Sequence, residues 1–200
     1  MDVPLLPLLG FAFAASVTPG PNNALVTANA AANGLHATWW HMLGIGAGFS
    51  LMIVLVGLGL AGALAAQPML AIAMRWASMA WLTWLAWKIA SAPVADAGTP
   101  APGLRFGFVQ AMLFQWVNPK AWLLALSIAS AWVRPDAPAV PQLLVIGAVF
   151  FAVTPPSCIP WALLGHGAAR VLRTGPRLRA FNIAMAVLLL ASMLPIALEG

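Results

Sequence analysis

Long apolar stretches, separated by short polar or proline-containing segments, make up most of the 200-residue chain. Their lengths are close to the roughly 20 residues that an α-helix needs to cross a bilayer. None of them shows the alternation of polar and apolar residues that is typical of strands in a membrane β-barrel. The pattern therefore predicts an all-α, polytopic membrane protein with six transmembrane helices. These helices are expected at residues 3–32, 39–65, 69–89, 106–133, 142–164 and 178–198.

The first and the fourth predicted helices are both interrupted by helix-breaking residues. The first carries the sequence TPGPNN at positions 18–23, and the fourth carries Asn118-Pro119. A proline inside a helix removes a backbone donor and clashes with the preceding turn, at a cost of about 3 kcal/mol or more. In a bilayer such a break is tolerated only where protein buries it or where it lines a wet cavity. The alternative is a plain proline kink with asparagines packing between helices.

Breaks of this kind predict a binding site. The half-helix that starts after the break presents free N–H groups and the positive end of a helix dipole, which suit an anion such as the carboxylate of an amino acid. We expect Thr18 to cap this half-helix, and Gln115 to share a helix face with Asn118. The candidate substrate-binding residues are Thr18, Pro19, Gly20, Pro21, Asn22, Asn23, Gln115, Asn118, Pro119 and Lys120.

Lys120 is the one clear ionisable residue in the middle of an apolar segment. Charged side chains at this depth are costly and usually face a cavity or a partner. The acidic residues of the chain, Asp2, Asp96, Asp136 and Glu199, all lie in predicted loops or at the termini, so none is an obvious partner. We therefore expect Lys120 to meet the carbonyl groups of a broken helix or an anionic group of the substrate. The alternative is that it snorkels to the membrane interface.

Two further positions carry weaker signals. His41, near the start of the second helix, is a candidate proton relay because histidine titrates near neutral pH. The alternative is that His41 lies at the membrane interface, or that it is a polar group whose hydrogen bonds are satisfied within the protein. Pro155-Pro156-Ser157 predicts either another break, in the fifth helix, or simple helix curvature.

The two breaks also suggest an internal repeat. A shift of 97 positions aligns Gly10-Phe11 with Gly107-Phe108, and Pro21-Asn22-Asn23 with Asn118-Pro119-Lys120. Each half has three helices, an odd number, so the halves must insert in opposite orientations. Interrupted helices in matching positions of inverted halves are typical of transporters. The chain is therefore predicted to be one domain, a 3+3 inverted repeat with broken helices 1 and 4, covering residues 1–200 with halves at about 1–92 and 104–200 and a loop at 93–103.

Composition supports a membrane location and suggests an orientation. The chain is 62% hydrophobic and only 6% charged, whereas soluble domains are about 25% charged. The net charge of +5 comes largely from arginines at positions 170, 173, 177 and 179, which we read as a topology signal and not as nucleic-acid binding. This places the cluster at 170–179 in the cytoplasm and both termini outside. The single cysteine excludes an intrachain disulfide and a multi-cysteine metal site.

Two stretches resemble the signatures of a known family. SVTPGPNNALVTANAAANG and GFVQAMLFQWVNPKAW are similar to the first and second signatures of the LysE/RhtB amino-acid exporters. The resemblance covers essentially the whole chain and implies a bacterial inner-membrane permease that exports amino acids, driven by the proton or membrane-potential gradient. It also implies a preference for neutral substrates, because Phe49 or Ser50 stands where exporters of basic amino acids tend to carry an acidic residue. Pro19, Gly20, Pro21 and Asn22 match the first motif, and Asn118, Pro119 and Lys120 match the second.

Three other functions are weighed against amino-acid export. A metal or small-cation exporter would need more ligands than His36 and His41. A membrane-embedded enzyme would need a nucleophile–base pair, for which only Cys158 and His166 are available. A scaffold would need a soluble interaction domain or tail. We therefore expect a transporter and not an enzyme, with no cofactor or metal. Its expected partners are an amino-acid substrate and the lipid bilayer, and a homodimer is one assembly that the sequence allows.

Overall fold

The computed structural model describes residues 3–92, 105–172 and 175–192, and within these ranges all regular secondary structure is helical. The expected all-α fold is thereby confirmed. The predicted loop at 93–103 and Arg173 of the arginine cluster lie outside the described residues. The helices are α1 (Leu5–Val17), α2 (Pro21–Leu55), a π-helical turn (Val56–Leu60), α3 (Ala61–Ala65), α4 (Pro68–Ala90), α5 (Phe108–Phe114), a 3₁₀ turn (Gln115–Val117), α6 (Pro119–Trp132), α7 (Ala139–Val171) and α8 (Gly175–Ala191).

The long helix α2 contains a kink where the sequence predicts a loop between the first two transmembrane helices. Gly34 has φ 77° and ψ 176°, a backbone conformation that glycine adopts without a steric cost. The part of α2 before Gly34 therefore continues the first predicted helix, and the part after it is the second. The segments Pro21–Leu60 and Ala139–Val171 are long and apolar enough to cross a membrane. With 13 residues, α1 spans about 20 Å and is shorter than a bilayer core.

Both predicted breaks occur, and both are followed by a proline at the first helical position. Pro21 begins α2 after Gly20, and Pro119 begins α6 after Asn118. Proline is well suited to this position because its missing N–H would have no partner there. The predicted cap by Thr18 is wrong. Gly20 is the N-cap residue of α2, so no side chain caps this helix. The Thr18 hydroxyl donates back to the carbonyl of Ala14 instead.

One detail of the predicted repeat is corrected, and one alternative among the predicted breaks is decided. Gly10 lies inside α1 whereas Gly107 is the residue that precedes α5, so these two glycines do not occupy equivalent places. Of the two alternatives at Pro155-Pro156-Ser157, the break does not occur, because α7 continues through these residues. Local kinks at α-helical prolines are accommodated when neighbouring helices satisfy the freed backbone groups.

Helices α2 and α7 form the central pair of the fold, and the other helices pack around them. The approach is so close that a Cβ atom placed on Gly165 of α7 would lie 2.0 Å from the carbonyl oxygen of Thr27 on α2. A core built on Phe49 and Phe150 joins α1, α2, α6 and α7. Helices α4 and α8 pack against each other at the side. The tryptophans of α4 at positions 76, 81, 84 and 87 are exposed, as expected for a lipid-facing surface.

Candidate functional site

The C-terminal end of α1 is the centre of the candidate site. The last carbonyl groups of a helix have no partner within the helix, and here side chains from three other positions satisfy those of residues 15–19. Lys120 donates from Nζ to the carbonyls of residues 15, 18 and 19 at 3.4, 3.0 and 3.3 Å. Asn23 donates to those of residues 16 and 18, both at 2.9 Å. Trp161 donates to that of residue 17 at 2.9 Å.

Lys120 therefore takes the first of its two expected partners, the carbonyl groups of a broken helix. A cation at this position is also stabilised by the negative end of the α1 dipole. Gly20 makes the approach possible, since a Cβ atom placed there would lie 2.9 Å from Cδ and 3.2 Å from Nζ of Lys120. The lysine side chain thus lies directly against the first break, although its own backbone belongs to the second.

A pair of amide side chains links the two breaks a second time. Asn22 Nδ2 donates to Gln115 Oε1 at 2.9 Å, and Gln115 Nε2 donates to Asn22 Oδ1 at 3.0 Å. Gln115 is fully buried and also donates to the carbonyl of Ala111 at 2.9 Å. We call this reciprocal Asn22–Gln115 pair the amide brace. It connects the first turn of α2 with the 3₁₀ turn that precedes α6.

A cavity with an empty volume of about 450 Å³, part of which is open to the outside, lies where the two breaks meet. Asn118 is one of the residues that line it, and its Oδ1 is buried and has no hydrogen-bond partner in the part of the chain that the structure describes. The first turns of α2 and α6 also leave N–H groups without a partner inside their helices. Of the predicted site residues, those that line the cavity are Thr18, Gly20, Asn22, Asn23, Asn118 and Lys120.

The remaining predicted residues lie beside the cavity and not on its wall. Pro19, Pro21 and Pro119 shape the breaks, and Gln115 reaches the cavity only through Asn22. His41 is fully buried one turn before the cavity residue Ile45. Its ring stacks on Phe106 at 5.4 Å between centroids, and neither ring nitrogen has a hydrogen-bond partner among the described residues.

Sequence reasoning missed two cavity residues on α7, Thr154 and Cys158. The Cys158 thiol donates to Asn23 Oδ1 at 3.5 Å, and Thr154 Oγ1 has no partner among the described residues. Their spacing of four residues places both on one face of a helix. Two polar groups so spaced beside Pro155-Pro156 are a signal that could have indicated a polar helix face.

The chemistry of the cavity suits a small zwitterion. Lys120 is the charged residue on its wall, and the other polar groups are amides, a thiol, hydroxyls and backbone groups. Among the described residues, no three histidine, cysteine or acidic side chains come together where they could hold a metal ion. The arrangement can therefore neutralise one negative group and donate or accept several hydrogen bonds.

Comparison with known proteins identifies the group to which the chain belongs. The family model of the LysE type translocator matches residues 13–198. The chain is 33% identical over 176 residues to a cysteine/O-acetylserine efflux protein of Salmonella choleraesuis, with 87% of each chain covered. It is 31% identical over 175 residues to a protein of the same description in Escherichia coli K12, again with 87% coverage. No solved structure gives a significant match. These relatives are transport proteins and not enzymes, and the chain belongs to the LysE type translocator family.

Proposed function

We propose that this protein exports small neutral amino acids, or close derivatives of them, across the bacterial inner membrane. The observation that carries the proposal is the cavity between the two breaks, which is lined by Lys120 and by Asn118, whose Oδ1 has no hydrogen-bond partner among the described residues. One site thus offers a cation for a carboxylate and an acceptor for an ammonium. The relatives, which are cysteine/O-acetylserine efflux proteins, support the same class of substrate.

The substrate carboxylate binds to Lys120 and to the free N–H groups of the first turns of α2 and α6. Two of the three contacts from Lys120 Nζ, at 3.3 and 3.4 Å, are longer than the usual 2.7–3.2 Å. A carboxylate can replace these weak contacts with a shorter, charge-assisted hydrogen bond. The half-helix N-termini add the positive ends of two helix dipoles.

The substrate ammonium binds to Asn118 Oδ1 and to carbonyl groups at the end of α1. In this arrangement Asn22 acts mainly through the amide brace, because its amide is already paired with Gln115. The preference for neutral side chains is supported by the cavity wall, on which Lys120 is charged and no acidic residue lies among those that the structure describes. A basic side chain would be repelled by Lys120 and would find no counter-charge.

Export is driven by the proton gradient or the membrane potential, and His41 is the proposed proton relay. Its ring nitrogens are buried and have no partner in the described residues. It lies one turn of α2 before Ile45, which lines the cavity. A change in the protonation of His41 can therefore affect the cavity through the packing of α2.

The proposed architecture is one permease domain over residues 1–200, a 3+3 inverted repeat of halves at about 1–92 and 104–200. In support, α1 contacts α7 and α5 contacts α2, which are corresponding pairs of helices in the two proposed halves. Ser50 Oγ also donates to the carbonyl of Gly147 at 2.7 Å, and these residues are 97 positions apart. The arginine cluster at 170–179 faces the cytoplasm and both termini face outward. A C-terminal reporter enzyme that is active only in the cytoplasm would contradict this orientation.

The role of Lys120 can be tested in proteoliposomes loaded with labelled L-cysteine or L-serine. Lys120→Met should lower the rate of substrate counterflow at least tenfold, because a lost charge-assisted hydrogen bond costs about 1.5–3 kcal/mol. Lys88→Met is the matched control, since Lys88 lies over the rings of Trp84 and Trp87 on α4. Counterflow by Lys120→Met at the wild-type rate would show that Lys120 does not bind substrate.

A further inference from the structure

The cavity has two walls of different chemistry. One wall comes from the breaks and carries Lys120, Asn118 and Asn22. The other group of lining residues, which we call the second wall, comes from uninterrupted helical segments and includes Ile45 and Phe49 of α2 together with residues of α7. The first wall can bind the carboxylate and ammonium groups of an amino acid. The side chain of that amino acid therefore faces the second wall, on which no described residue is charged.

Thr154 stands out on this uncharged wall because its hydroxyl has no partner. It is only 3% exposed, and no hydrogen-bond partner exists for Oγ1 among the described residues. Other hydroxyls in helices of this protein donate to the carbonyl four residues earlier, as Thr27 and Ser157 do at 2.8 Å each. Leaving a buried hydroxyl unpaired costs free energy, so a buried hydroxyl on a cavity wall indicates a missing ligand atom.

The neighbouring thiol of Cys158, in contrast, already has a hydrogen-bond partner. Cys158 lies one turn after Thr154 on the same wall, but its thiol already donates to Asn23 Oδ1. The hydroxyl of Thr154 is thus the group on this wall that is free to bond with a substrate side chain. A hydroxyl can donate one hydrogen bond and accept others.

We propose that Thr154 is the specificity-determining residue for the substrate side chain, and that it hydrogen-bonds an oxygen or sulfur atom carried on the β-carbon. The inference rests on the proposed function and narrows it to β-oxy and β-thio amino acids such as serine, O-acetylserine and cysteine. Their apolar counterparts, alanine and 2-aminobutyrate, leave the hydroxyl unpaired. A site with a buried polar group discriminates against an analogue that cannot pair with it.

The test measures counterflow in proteoliposomes for two matched pairs of substrates. The pairs are L-serine against L-alanine, and L-cysteine against L-2-aminobutyrate. The wild type should favour the polar member about tenfold. Thr154→Val, which keeps the shape and removes the hydroxyl, should abolish the preference while counterflow of L-alanine is retained. Thr154→Ser, which keeps a hydroxyl, should show the same preference for the polar members as the wild type.

The control is Ser157→Ala, which removes a buried hydroxyl that is already bonded to the carbonyl of Val153 on the same helix. It should leave the preference unchanged. Retained counterflow of L-alanine shows that a variant is folded. A wild type that moves polar and apolar members equally, or a folded Thr154→Val protein that still prefers the polar members, overturns the inference while export stands. A wild type that moves none of the four substrates overturns the proposed function as well.

Discussion

The amide brace between Asn22 and Gln115 gives the sharpest prediction about stability. It joins residues 93 positions apart, at N···O distances of 2.9 and 3.0 Å, both of which lie within the normal range for such bonds. We consider Asn22→Leu, Gln115→Met and the double variant, in which apolar side chains of similar size replace the amides. Each single variant removes one amide and leaves the other, the buried Gln115 or the half-buried Asn22, without its partner in the brace, whereas the double variant leaves neither amide.

The expected size of the effect follows from the two bonds. A neutral hydrogen bond contributes about 0.5–1.5 kcal/mol net, so the reciprocal pair should contribute about 1–3 kcal/mol. Double-mutant cycles within a membrane protein average about 0.6 kcal/mol for one interhelical bond, with a maximum of about 1.7. We therefore expect a coupling free energy of about 1–3 kcal/mol. Each single variant should be less stable than the wild type by about this amount, and the double variant should lose no more than one of the singles.

The measurement is the free energy of unfolding in mixed micelles, followed for all four proteins of the cycle. Ser130→Ala combined with Asn22→Leu is the control cycle, because Ser130 is exposed and bonds only to the nearby carbonyl of Ser127. Its coupling should stay below about 0.5 kcal/mol, as for independent sites. If the Asn22/Gln115 cycle gave a coupling as small as the control, the brace would have no energetic role. The reasoning from its geometry would then be wrong.

Two further variants test the helix packing and the proton relay. Gly165→Ala should destabilise the protein by about 3 kcal/mol, because the added Cβ would lie 2.0 Å from the carbonyl oxygen of Thr27. Gly167→Ala, whose Cβ would meet nothing within 4 Å, should leave the free energy of unfolding unchanged or raise it by up to about 1 kcal/mol; equal losses for the two variants would contradict the packing. His41→Phe keeps a ring against Phe106 and removes both unpartnered nitrogens. It should retain counterflow and lose transport driven by a pH gradient, and gradient-driven transport at the wild-type rate would exclude His41 as the relay.

The positions of the helices and of both breaks could be predicted because they depend on local chemistry. Long apolar runs form helices in a bilayer, since every backbone group must be satisfied internally. Proline cannot stay inside a regular helix without losing a bond, and it is favoured at the first helical position. These rules place the break before Pro119 correctly. They leave two alternatives open at Pro155, where α7 continues, and they fail at Gly34, where a glycine kink replaces a loop.

The sequence by itself thus determined the class of protein, the approximate helices and the two breaks, because each of these follows from neighbouring residues and from the lack of charge. Only the tertiary structure decided which groups meet at the breaks. Lys120 reaches carbonyl groups more than 100 positions away, Asn22 pairs with Gln115, and the Thr154 hydroxyl has no partner among the described residues. These contacts depend on how α1, α2, α6 and α7 pack together. Packing angles and side-chain rotamers arise from the whole core, and no local pattern specifies them.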